Sequence, residues 1–309
     1  MATLPSYVLI TPARNEAEFI ELTLKSVTAQ TVKPLKWVVV SDGSTDGTDD
    51  IVQRYAAAHP WIELVRTPER QERHFAGKAA AFNTGYARMK GLEYEVIGNL
   101  DADISFDGDY FAFLMSKFAQ NPELGVGGTP YVEGSKTYDY RFTSIEHVSG
   151  ACQMFRRECF EAIGGYPSVR SGGIDLIAVL GARAKGWQSR TFTDRVCHHH
   201  RKMGTAVHQG FRERMHRGRM DYLLGSHPLW EILRSVYQMK NRPYFIGGLL
   251  ILGTYVWNWL CRVERTMPPE LMRLRRSDQM KQLKGVFYRT FGSSAVSGLS
   301  QTHAPKQGS

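Results

Sequence analysis

Cysteine is scarce in this sequence, and the cysteines it has are not grouped. The 309 residues include four, Cys152, Cys159, Cys197 and Cys261, and no two of them form a CxxC pair. This spacing argues against a paired-cysteine motif and against the disulfide framework of a small secreted protein. We therefore expect free thiols in a reducing, cytosolic environment.

Glycine-rich phosphate-binding motifs and long apolar runs are also missing. The sequence has no GxGxxG after its first predicted strand and no Walker A motif, which disfavours dinucleotide and P-loop binding. Met1–Pro5 has no basic region, so we expect no signal peptide. The apolar stretch Tyr244–Leu260 has 17 residues. As a helix it would span about 26 Å, less than the roughly 30 Å core of a bilayer.

The charge is unevenly distributed along the chain. The formal net charge is +9, but residues 1–196 contain 21 Lys and Arg against 24 Asp and Glu. Residues 197–309 contain 18 basic residues against 6 acidic ones. A basic last third favours an anionic partner, such as a nucleoside diphosphate or an anionic membrane. Nucleic acid is not expected, because no recognisable nucleic-acid-reading motif is present.

Predicted strands and helices alternate four times in the first hundred residues. Buried strands are predicted at Tyr7–Thr11, Trp37–Val40, Ile62–Val65 and Glu95–Leu100, with helical patterns between them. This alternation predicts an α/β domain with a largely parallel central sheet. In such a sheet the loops after the strands converge on one edge, where ligands bind.

Two carboxylates one residue apart stand at the end of the fourth predicted strand. Asp101 and Asp103 follow the β-prone run Val96–Leu100. Paired acids at a strand end suit a hard divalent cation such as Mg²⁺ or Mn²⁺, and such a cation can carry a diphosphate. Taken alone, the pair could equally be a turn or a helix cap.

Several motifs together resemble the family 2 glycosyltransferases, which have the GT-A fold. They occur in the family's order across about 190 residues. The matching segments are Thr11–Glu16, Ser41–Asp46, Gly77–Gly85, Asp101–Asp103, Phe155–Arg157 and Ile163–Tyr166. The second departs from the family pattern, because Ser41 replaces the first acid of D-D-G-S-x-D. The resemblance implies a mostly parallel sheet flanked by helices, with a basic helical extension at the C-terminus.

The resemblance also implies a role for each matching residue. It places five at the donor nucleotide: Pro12, Arg14, Asp42, Lys78 and Asp101. It places Asp103 on the metal, Mn²⁺ or Mg²⁺. Three of these residues could instead have a purely structural role. Asp42 could be a turn residue, Lys78 a solvent-exposed helix residue, and Pro12 the residue that ends a strand.

The general base is harder to identify. Inverting glycosyl transfer needs a carboxylate that accepts the proton of the attacking hydroxyl. In the family this base comes from an E-D pair after the G-G-F/Y stretch, but here Gly172 and Gly173 stand where the pair is expected. Asp175 is the one carboxylate between Glu161 and Asp194, and we predict it as the base by elimination. A helix N-cap is the alternative role for it.

A histidine and arginine block follows in the sequence. Successive residues on a strand point to opposite faces, so His198, His199 and His200 cannot all bind one ion. The resemblance implies one histidine metal ligand here, predicted as His200 with His199 as the alternative. Arg217 and Arg219 could contact a diphosphate, since guanidinium groups suit phosphate, or could form an exposed basic face.

The sequence thus predicts a catalytic domain at 1–235 and a basic region at 236–309. The second region contains the apolar segment 244–260 and, from about Ser293, a disordered tail. The apolar segment is either an element that lies on a membrane, a buried helix of the domain or a dimer contact.

The predicted function is metal-dependent, inverting transfer of one sugar from a nucleotide-diphosphate sugar to an acceptor hydroxyl. A sugar or a lipid-linked acceptor, in polysaccharide or glycolipid synthesis at the inner face of a membrane, would suit the basic and apolar C-terminal region. The absence of Q-x-x-R-W argues against polymer synthesis. The alternatives are an inactive nucleotide-sugar-binding protein, because the E-D pair is missing, and a nucleotidyltransferase, for which no Gly/Arg-rich phosphate loop is present.

Overall fold

The computed structural model describes residues 3–68, 75–134, 143–169, 171–201, 210–240 and 244–296. A seven-stranded sheet forms its centre. In spatial order the strands are β3 (Ile62–Thr67), β2 (Lys36–Asp42), β1 (Tyr7–Ala13), β4 (Val96–Leu100), β8 (Cys152–Arg156), β6 (Leu124–Gly128) and β9 (Gln188–Thr191).

The first four strands of the sheet are parallel, and helices connect them. β1 pairs in parallel with both β2 and β4, and β2 pairs in parallel with β3, whereas β8 is antiparallel to β4 and β6. The connecting helices are α1 (Ile20–Thr28), α2 (Thr48–Ala58) and α3 (Phe75–Ala87). The four predicted strands and the α/β fold class are therefore confirmed.

Both faces of the sheet are covered, which explains why its strands are apolar almost without interruption. Alternate residues of β1 and β2 enter opposite cores: Val8 and Val38 lie in one, Leu9 and Val39 in the other. The helices α4 (Tyr110–Gln120), α5 (Arg157–Ala162) and α6 (Ile174–Ala184) complete this layered domain.

A small second sheet lies beside the end of β4. Its strands are β5 (Ile104–Ser105), β10 (Cys197–His199) and β7 (Tyr131–Val132). β10 is antiparallel to β5, with His199 opposite Ile104 and His198 opposite Ser105. This pairing brings the histidine run next to the Asp101–Asp103 segment, from almost a hundred residues away in sequence.

In the described residues after the second sheet, four helices follow: α7 (Phe211–Leu223), α8 (Pro228–Gln238), α9 (Ile246–Leu260) and α10 (Pro269–Val296). The backbones of α7 and α9 approach closely, because a Cβ atom at Gly218 would clash with the carbonyl oxygen of Ile251. The same holds for α8 and α9, where a Cβ at Gly248 would clash with the carbonyl oxygen of Ser235.

The apolar segment 244–260 therefore forms a helix packed against its neighbours. α9 has 15 residues, and none of the helices in the described ranges is both long and apolar enough to cross a membrane. One face, including Ile251 and Tyr255, is buried, while Trp257 and Trp259 are exposed.

The predicted boundary after residue 235 falls inside α8. Of the predicted disordered tail, residues up to Val296 continue α10, and the remainder lies outside the described residues.

Candidate active site

The ends of β1 and β2 bring Arg14 and Asp42 together at the edge of the sheet. Arg14 Nη1 lies 4.0 Å from Asp42 Oδ2, and Asp42 Oδ1 accepts a hydrogen bond of 3.3 Å from the Thr67 hydroxyl at the end of β3. Asp42 is buried, and Pro12, which pairs with Val40, is half-buried. These predicted donor-binding residues thus occupy adjacent strand ends.

The loops after β1 and β2 hold each other in place through side chain to backbone hydrogen bonds. The Asn15 amide N–H donates to Ser44 Oγ at 3.1 Å, and the Thr45 N–H donates to Asn15 Oδ1 at 2.9 Å. The Ala17 N–H donates to Asp46 Oδ2 at 3.0 Å. The polar residues of the Thr11–Glu16 and Ser41–Asp46 motifs therefore fix the geometry of this edge.

Lys78, on α3, forms an ion pair with Asp101 at the end of β4. Its Nζ lies 2.5 Å from Asp101 Oδ1. Burial raises the pKa of Asp101, with a contribution from the neighbouring Asp103, and Lys78 opposes that rise. Burial by itself lowers the pKa of Lys78, but the carboxyl groups around it, Asp101 first among them, raise the pKa overall. The contact places the Lys78 side chain directly beside the acidic pair.

Asp101, Asp103 and His199 form a compact cluster of metal-binding groups. One ligand atom from each lies within 4.8 Å of the others. His199 Nε2 is 3.6 Å from Asp103 Oδ1, and both side chains are about nine-tenths buried. Carboxylate oxygens with one imidazole nitrogen are a donor set suited to Mn²⁺.

The hydrogen bonding of His199 fixes which of its nitrogens is free. Nδ1 lies 2.6 Å from the carbonyl oxygen of Arg201, which can only accept, so Nδ1 carries the proton. In the neutral ring, Nε2 then presents a lone pair toward Asp103. His199 Nε2 and Asp103 Oδ1 would then be two acceptors facing each other at 3.6 Å, and a cation bound to both would satisfy them. The residues present therefore fit a divalent ion.

His200 has a different environment from His199. Its Nε2 lies 2.8 Å from Ser105 Oγ, and its backbone N–H donates to the Asp103 carbonyl oxygen at 2.9 Å. Burial lowers the pKa of His200. The structure thus brings His199, the alternative, to the acidic pair and directs the ring of the predicted ligand His200 toward Ser105. The physical reason is the alternation of side chains along β10 and the residue after it.

Arg201 links the acidic pair to the loop after β1, a role that the sequence analysis missed. Its Nη2 donates to Glu16 Oε2 at 2.6 Å and to the Asn15 carbonyl oxygen at 3.2 Å. Its Nε lies 3.6 Å from Asp103 Oδ2. The available signal was its position directly after the histidine run.

Asp175 lies in the first turn of α6 and lines the same cavity as Lys78, Asp101 and His199. This cavity, called the Asp101 cavity below, has a volume of about 400 Å³. Gly173, immediately before the helix, has a φ of +77°, which favours glycine, and so lets the chain turn sharply into α6. A carboxylate in the first turn is stabilised by the helix dipole.

Two further residues of the Asp101 cavity carry no sequence signal. His147 and Tyr131 both line it. His147 Nδ1 is buried and has no hydrogen-bond partner among the described residues. Burial lowers the pKa of His147, although Asp175 opposes this, so the ring is neutral near pH 7. Tyr131 lies with its ring centroid 5.6 Å from that of His199.

The two arginines predicted at a diphosphate lie elsewhere. Both are exposed on α7. Arg217 lines a separate cavity between α6, α8 and α10, and Arg219 lines neither that cavity nor the Asp101 cavity. The structure therefore does not bring them together with Asp101 and Asp103.

Comparison with known proteins agrees with this architecture. Residues 8–162 match the family model described as glycosyl transferase family 2. The glycosyltransferase AglE of Haloferax volcanii is 30% identical over 230 residues, which cover 68% of this chain and 72% of that protein. A poly-beta-1,6-N-acetyl-D-glucosamine synthase of Staphylococcus epidermidis is 30% identical over 136 residues, 44% of this chain but only 31% of the synthase.

Solved structures with a similar fold include a mannosyltransferase and TarS. The mannosyltransferase PcManGT from Pyrobaculum calidifontis, in complex with GDP-Man and Mn²⁺, has a TM-score of 0.58 at 21% identity, covering 97% of this chain and 89% of that one. TarS 1–349 of S. aureus has a TM-score of 0.53 at 14% identity, covering 81% and 70%. At these identities the likeness concerns the fold.

The mostly parallel sheet with acids at its strand ends defines an α/β protein of the GT-A fold. The chain belongs to glycosyl transferase family 2 and is a glycosyltransferase.

Proposed function

We propose that this protein transfers a single sugar from a nucleoside-diphosphate sugar to an acceptor hydroxyl, with inversion at the anomeric carbon. One observation carries the proposal: Asp175 lines the same cavity as Lys78, Asp101 and His199. A proton-accepting carboxylate and a metal- and phosphate-binding cluster are thus available to one bound donor. PcManGT, which shares the fold, was solved with GDP-Man and Mn²⁺.

The metal ligands in this proposal are Asp103 and His199, with Asp101 beside them. His199 takes the place predicted for His200, because His199 Nε2 is the nitrogen that faces the carboxylates. Mn²⁺ suits the mixed oxygen and nitrogen donors, and Mg²⁺ is the alternative. When bound, the ion would neutralise charge on the diphosphate leaving group.

Asp175 is the proposed general base. The acceptor hydroxyl loses its proton to the Asp175 carboxylate as its oxygen forms a bond to C1 of the sugar. The bond between C1 and the diphosphate oxygen breaks at the same time, and the nucleoside diphosphate leaves with that electron pair. Lys78, already paired with Asp101, supplies a second positive charge near the leaving group.

Asp42, Arg14 and Pro12 are proposed to bind the nucleoside. Pro12 and Arg14 lie at the end of β1, which pairs with β4, and Asp42 lies at the end of β2 on the other side of β1. A buried carboxylate such as Asp42 can accept hydrogen bonds from a ribose or a base. Diphosphate contacts by Arg217 and Arg219 stay a prediction from the sequence and are not part of this proposed site.

The acceptor is proposed to be lipid-linked and presented at the cytosolic face of a membrane. Exposed large apolar side chains are concentrated on α7, α8 and α9, including Phe211, Ile232, Leu249 and Trp257. The region is also strongly basic, which favours an anionic bilayer surface. An exposed apolar surface combined with positive charge is typical of peripheral membrane contact.

A donor screen tests the proposed function. Purified protein is incubated with Mn²⁺ and each of several UDP-, GDP- and dTDP-sugars, and the release of nucleoside diphosphate is measured. We expect release with at least one donor, dependent on Mn²⁺ and lost in Asp103→Asn. Calorimetric titration with the same donors and Mn²⁺ measures binding. Binding without release from any donor would favour an inactive sugar-nucleotide-binding protein, and neither binding nor release would contradict the proposal.

A further inference from the structure

A second cavity of about 430 Å³ lies between α6, α8 and α10. Four arginines line it, Arg183, Arg217, Arg234 and Arg275, and we call it the arginine groove. It shares one lining residue, His147, with the Asp101 cavity. Asp175 faces the Asp101 cavity, whereas Leu176 and Arg183, further along the same helix, face the arginine groove.

Acidic partners hold three of these arginines in fixed positions. Arg234 Nη1 lies 2.8 Å from Asp221 Oδ2, and Arg275 Nη2 lies 3.4 Å from Asp221 Oδ1. Arg275 also donates to the Leu224 carbonyl oxygen at 2.7 Å. A guanidinium group has five N–H donors, and one that uses some of them in fixed hydrogen bonds can donate the rest to a ligand. These side chains are therefore preorganised for binding.

Arg183 is held in the same way on the other side of the groove. Its Nη1 lies 2.5 Å from Asp278 Oδ2 and its Nη2 lies 3.0 Å from Glu146 Oε2. Asp278 is mostly buried, whereas the Glu146 side chain is half exposed. Glu146 therefore places an acidic group at the edge of the groove, where it would be close to a bound ligand.

Arg217 differs from the other three arginines. It donates no hydrogen bond to any residue in the described ranges. The positive charge of Arg234 lowers the pKa of Arg217. Both arginines line the groove, and an anion bound between them would relieve their repulsion.

The local charge balance is positive. The four guanidinium groups have three acidic partners, on Asp221, Asp278 and Glu146. A fourth acid, Glu231, is fully buried, and burial together with the Asp221 charge raises its pKa to about 8. Glu231 is therefore mainly protonated at neutral pH and does not cancel the excess positive charge.

We propose that the arginine groove is a binding site for a phosphate-bearing ligand, separate from the nucleotide-sugar site. Guanidinium groups match the geometry of phosphate oxygens, and several of them converge here. The volume exceeds what a small carboxylate needs, and Trp230 and Tyr237 line the groove and can contact an organic portion of the ligand. The proposal does not depend on the proposed transfer reaction.

The phosphate could belong to a soluble ester or to a lipid headgroup. α8 carries Trp230, Arg234 and Tyr237 on the groove, and it exposes Leu229 and Ile232 to solvent. A lipid bound in the groove would place its apolar tail along α8, whereas a soluble phosphate ester would have no such tail. Both ligands present the same phosphate group to the arginines, and vesicle binding distinguishes them.

The test is calorimetric titration of the full chain with inorganic pyrophosphate, with EDTA present to remove divalent ions. We expect wild-type protein to bind and Arg217→Gln to bind about tenfold more weakly, as for the loss of a charge-assisted hydrogen bond. Arg219→Gln is the matched control, because this exposed arginine on the same helix does not line the groove. Glu146→Gln removes a negative charge from the groove and should bind more tightly, by about threefold.

Three results would overturn the proposal. One is the absence of pyrophosphate binding by wild-type protein, and another is equal weakening in Arg217→Gln and Arg219→Gln. The third is loss of binding in Lys78→Gln, because Lys78 lines the Asp101 cavity and not the arginine groove. Thermal unfolding midpoints equal to that of the wild type show that the variants are folded.

Sedimentation with phosphatidylcholine vesicles containing phosphatidic acid identifies the source of the phosphate. If Arg217→Gln sediments less than Arg219→Gln, the site takes a lipid phosphate. If the two sediment alike while their pyrophosphate affinities differ, the site takes a soluble phosphate ester. If they differ in neither assay, the groove is not a phosphate site.

Discussion

The Nε2 atom of His199 lies 3.6 Å from Oδ1 of Asp103, and both side chains are almost buried. Nδ1 of the same ring donates to the Arg201 carbonyl oxygen, so in the neutral tautomer the nitrogen that faces the carboxylate carries the lone pair. A neutral imidazole oriented by a backbone carbonyl is the usual form of a histidine metal ligand. This relationship makes His199 the metal-binding histidine of our account.

The first prediction compares the two neighbouring histidines. His199→Gln should weaken Mn²⁺ binding by at least about tenfold, because a ligand to the ion is lost. His200→Gln should change the affinity by less than about twofold, because this side chain contacts Ser105. Electron paramagnetic resonance of free Mn²⁺, with nucleoside diphosphate present, measures both. A larger loss in the His200 variant would restore the assignment that the sequence analysis made.

The second prediction concerns Asp175. Asp175→Asn should leave the dissociation constant for the donor within about twofold and reduce kcat by about 10²- to 10⁴-fold, the range for loss of a general base. Donor titration and a turnover assay with the identified acceptor separate the two effects. A variant that retains most of its turnover would exclude Asp175 as the base.

A second variant tests the position of the same carboxylate. A Cβ atom at Gly150 would lie 3.1 Å from Asp175 Cβ and 3.2 Å from its Oδ2. Gly150→Ala should therefore displace the carboxylate by a few tenths of an ångström and lower kcat, by roughly tenfold, without changing donor affinity. Gly181→Ala is the control, because Gly181 lies in a helix and a Cβ atom there would make only ordinary contacts, so kcat should stay unchanged. Gly47 would be unsuitable, because its φ of +90° makes any side chain there strained.

These results show how much of the site local sequence patterns can predict. The strands and the paired acids Asp101 and Asp103 were predictable, because apolar runs and their terminal polar residues are local features. Which of His199 and His200 faces the acidic pair was not predictable. It depends on which face of the short strand β10 meets β5, and that register is set by a tertiary contact between distant segments.

Arg201, His147 and the arginine groove were not predictable for the same reason. Arg201 acquires its role through Glu16, 185 residues away in sequence. The arginine groove brings together α6, α7, α8 and α10, and the spacing of arginines along any one helix does not show which of them share a cavity. For Arg217 the sequence left a phosphate contact and an exposed basic face as alternatives, and it did not indicate the cavity that Arg217 lines.

The third prediction is a pH dependence of stability caused by Glu231. Both its carboxyl oxygens are buried without a hydrogen-bond partner in the described part of the chain, and burial is the largest cause of its pKa of about 8. The groups that affect this pKa are Asp221, Arg234, Arg275 and Arg217. The folded state therefore retains the proton at pH values where the unfolded chain, with an ordinary glutamate, has lost it.

The sign follows from this difference in proton binding. Between about pH 4.5 and 8 the folded state binds more protons than the unfolded state, so stability falls as pH rises through that window. Glu231→Gln mimics the protonated side chain and lacks this dependence. One pKa unit corresponds to about 1.4 kcal/mol, so from pH 5 to pH 8 wild-type protein should lose roughly 3 kcal/mol more than the variant. Urea unfolding at several pH values measures this, and parallel curves for the two proteins would contradict it.

The fourth prediction concerns the proposed membrane contact. Trp257 and Trp259 are 67% and 59% exposed on α9. Replacing both by Ser should reduce sedimentation with anionic vesicles by at least about fivefold, because apolar area that would enter the interface is removed. Leu35→Ser is the control, since Leu35 is an exposed apolar residue directly before β2. An equal effect of the control, or no vesicle binding by the wild type, would remove the membrane from the account.

The most direct test of the central claim is anomalous diffraction from crystals of the protein soaked with Mn²⁺ and a nucleoside diphosphate. The account predicts a manganese peak bonded to an Asp103 carboxylate oxygen and to His199 Nε2, with the diphosphate beside Lys78 in the cavity that Asp175 lines. A manganese peak at His200 or at another acidic site, or a diphosphate bound away from Lys78 and Asp101, would contradict it.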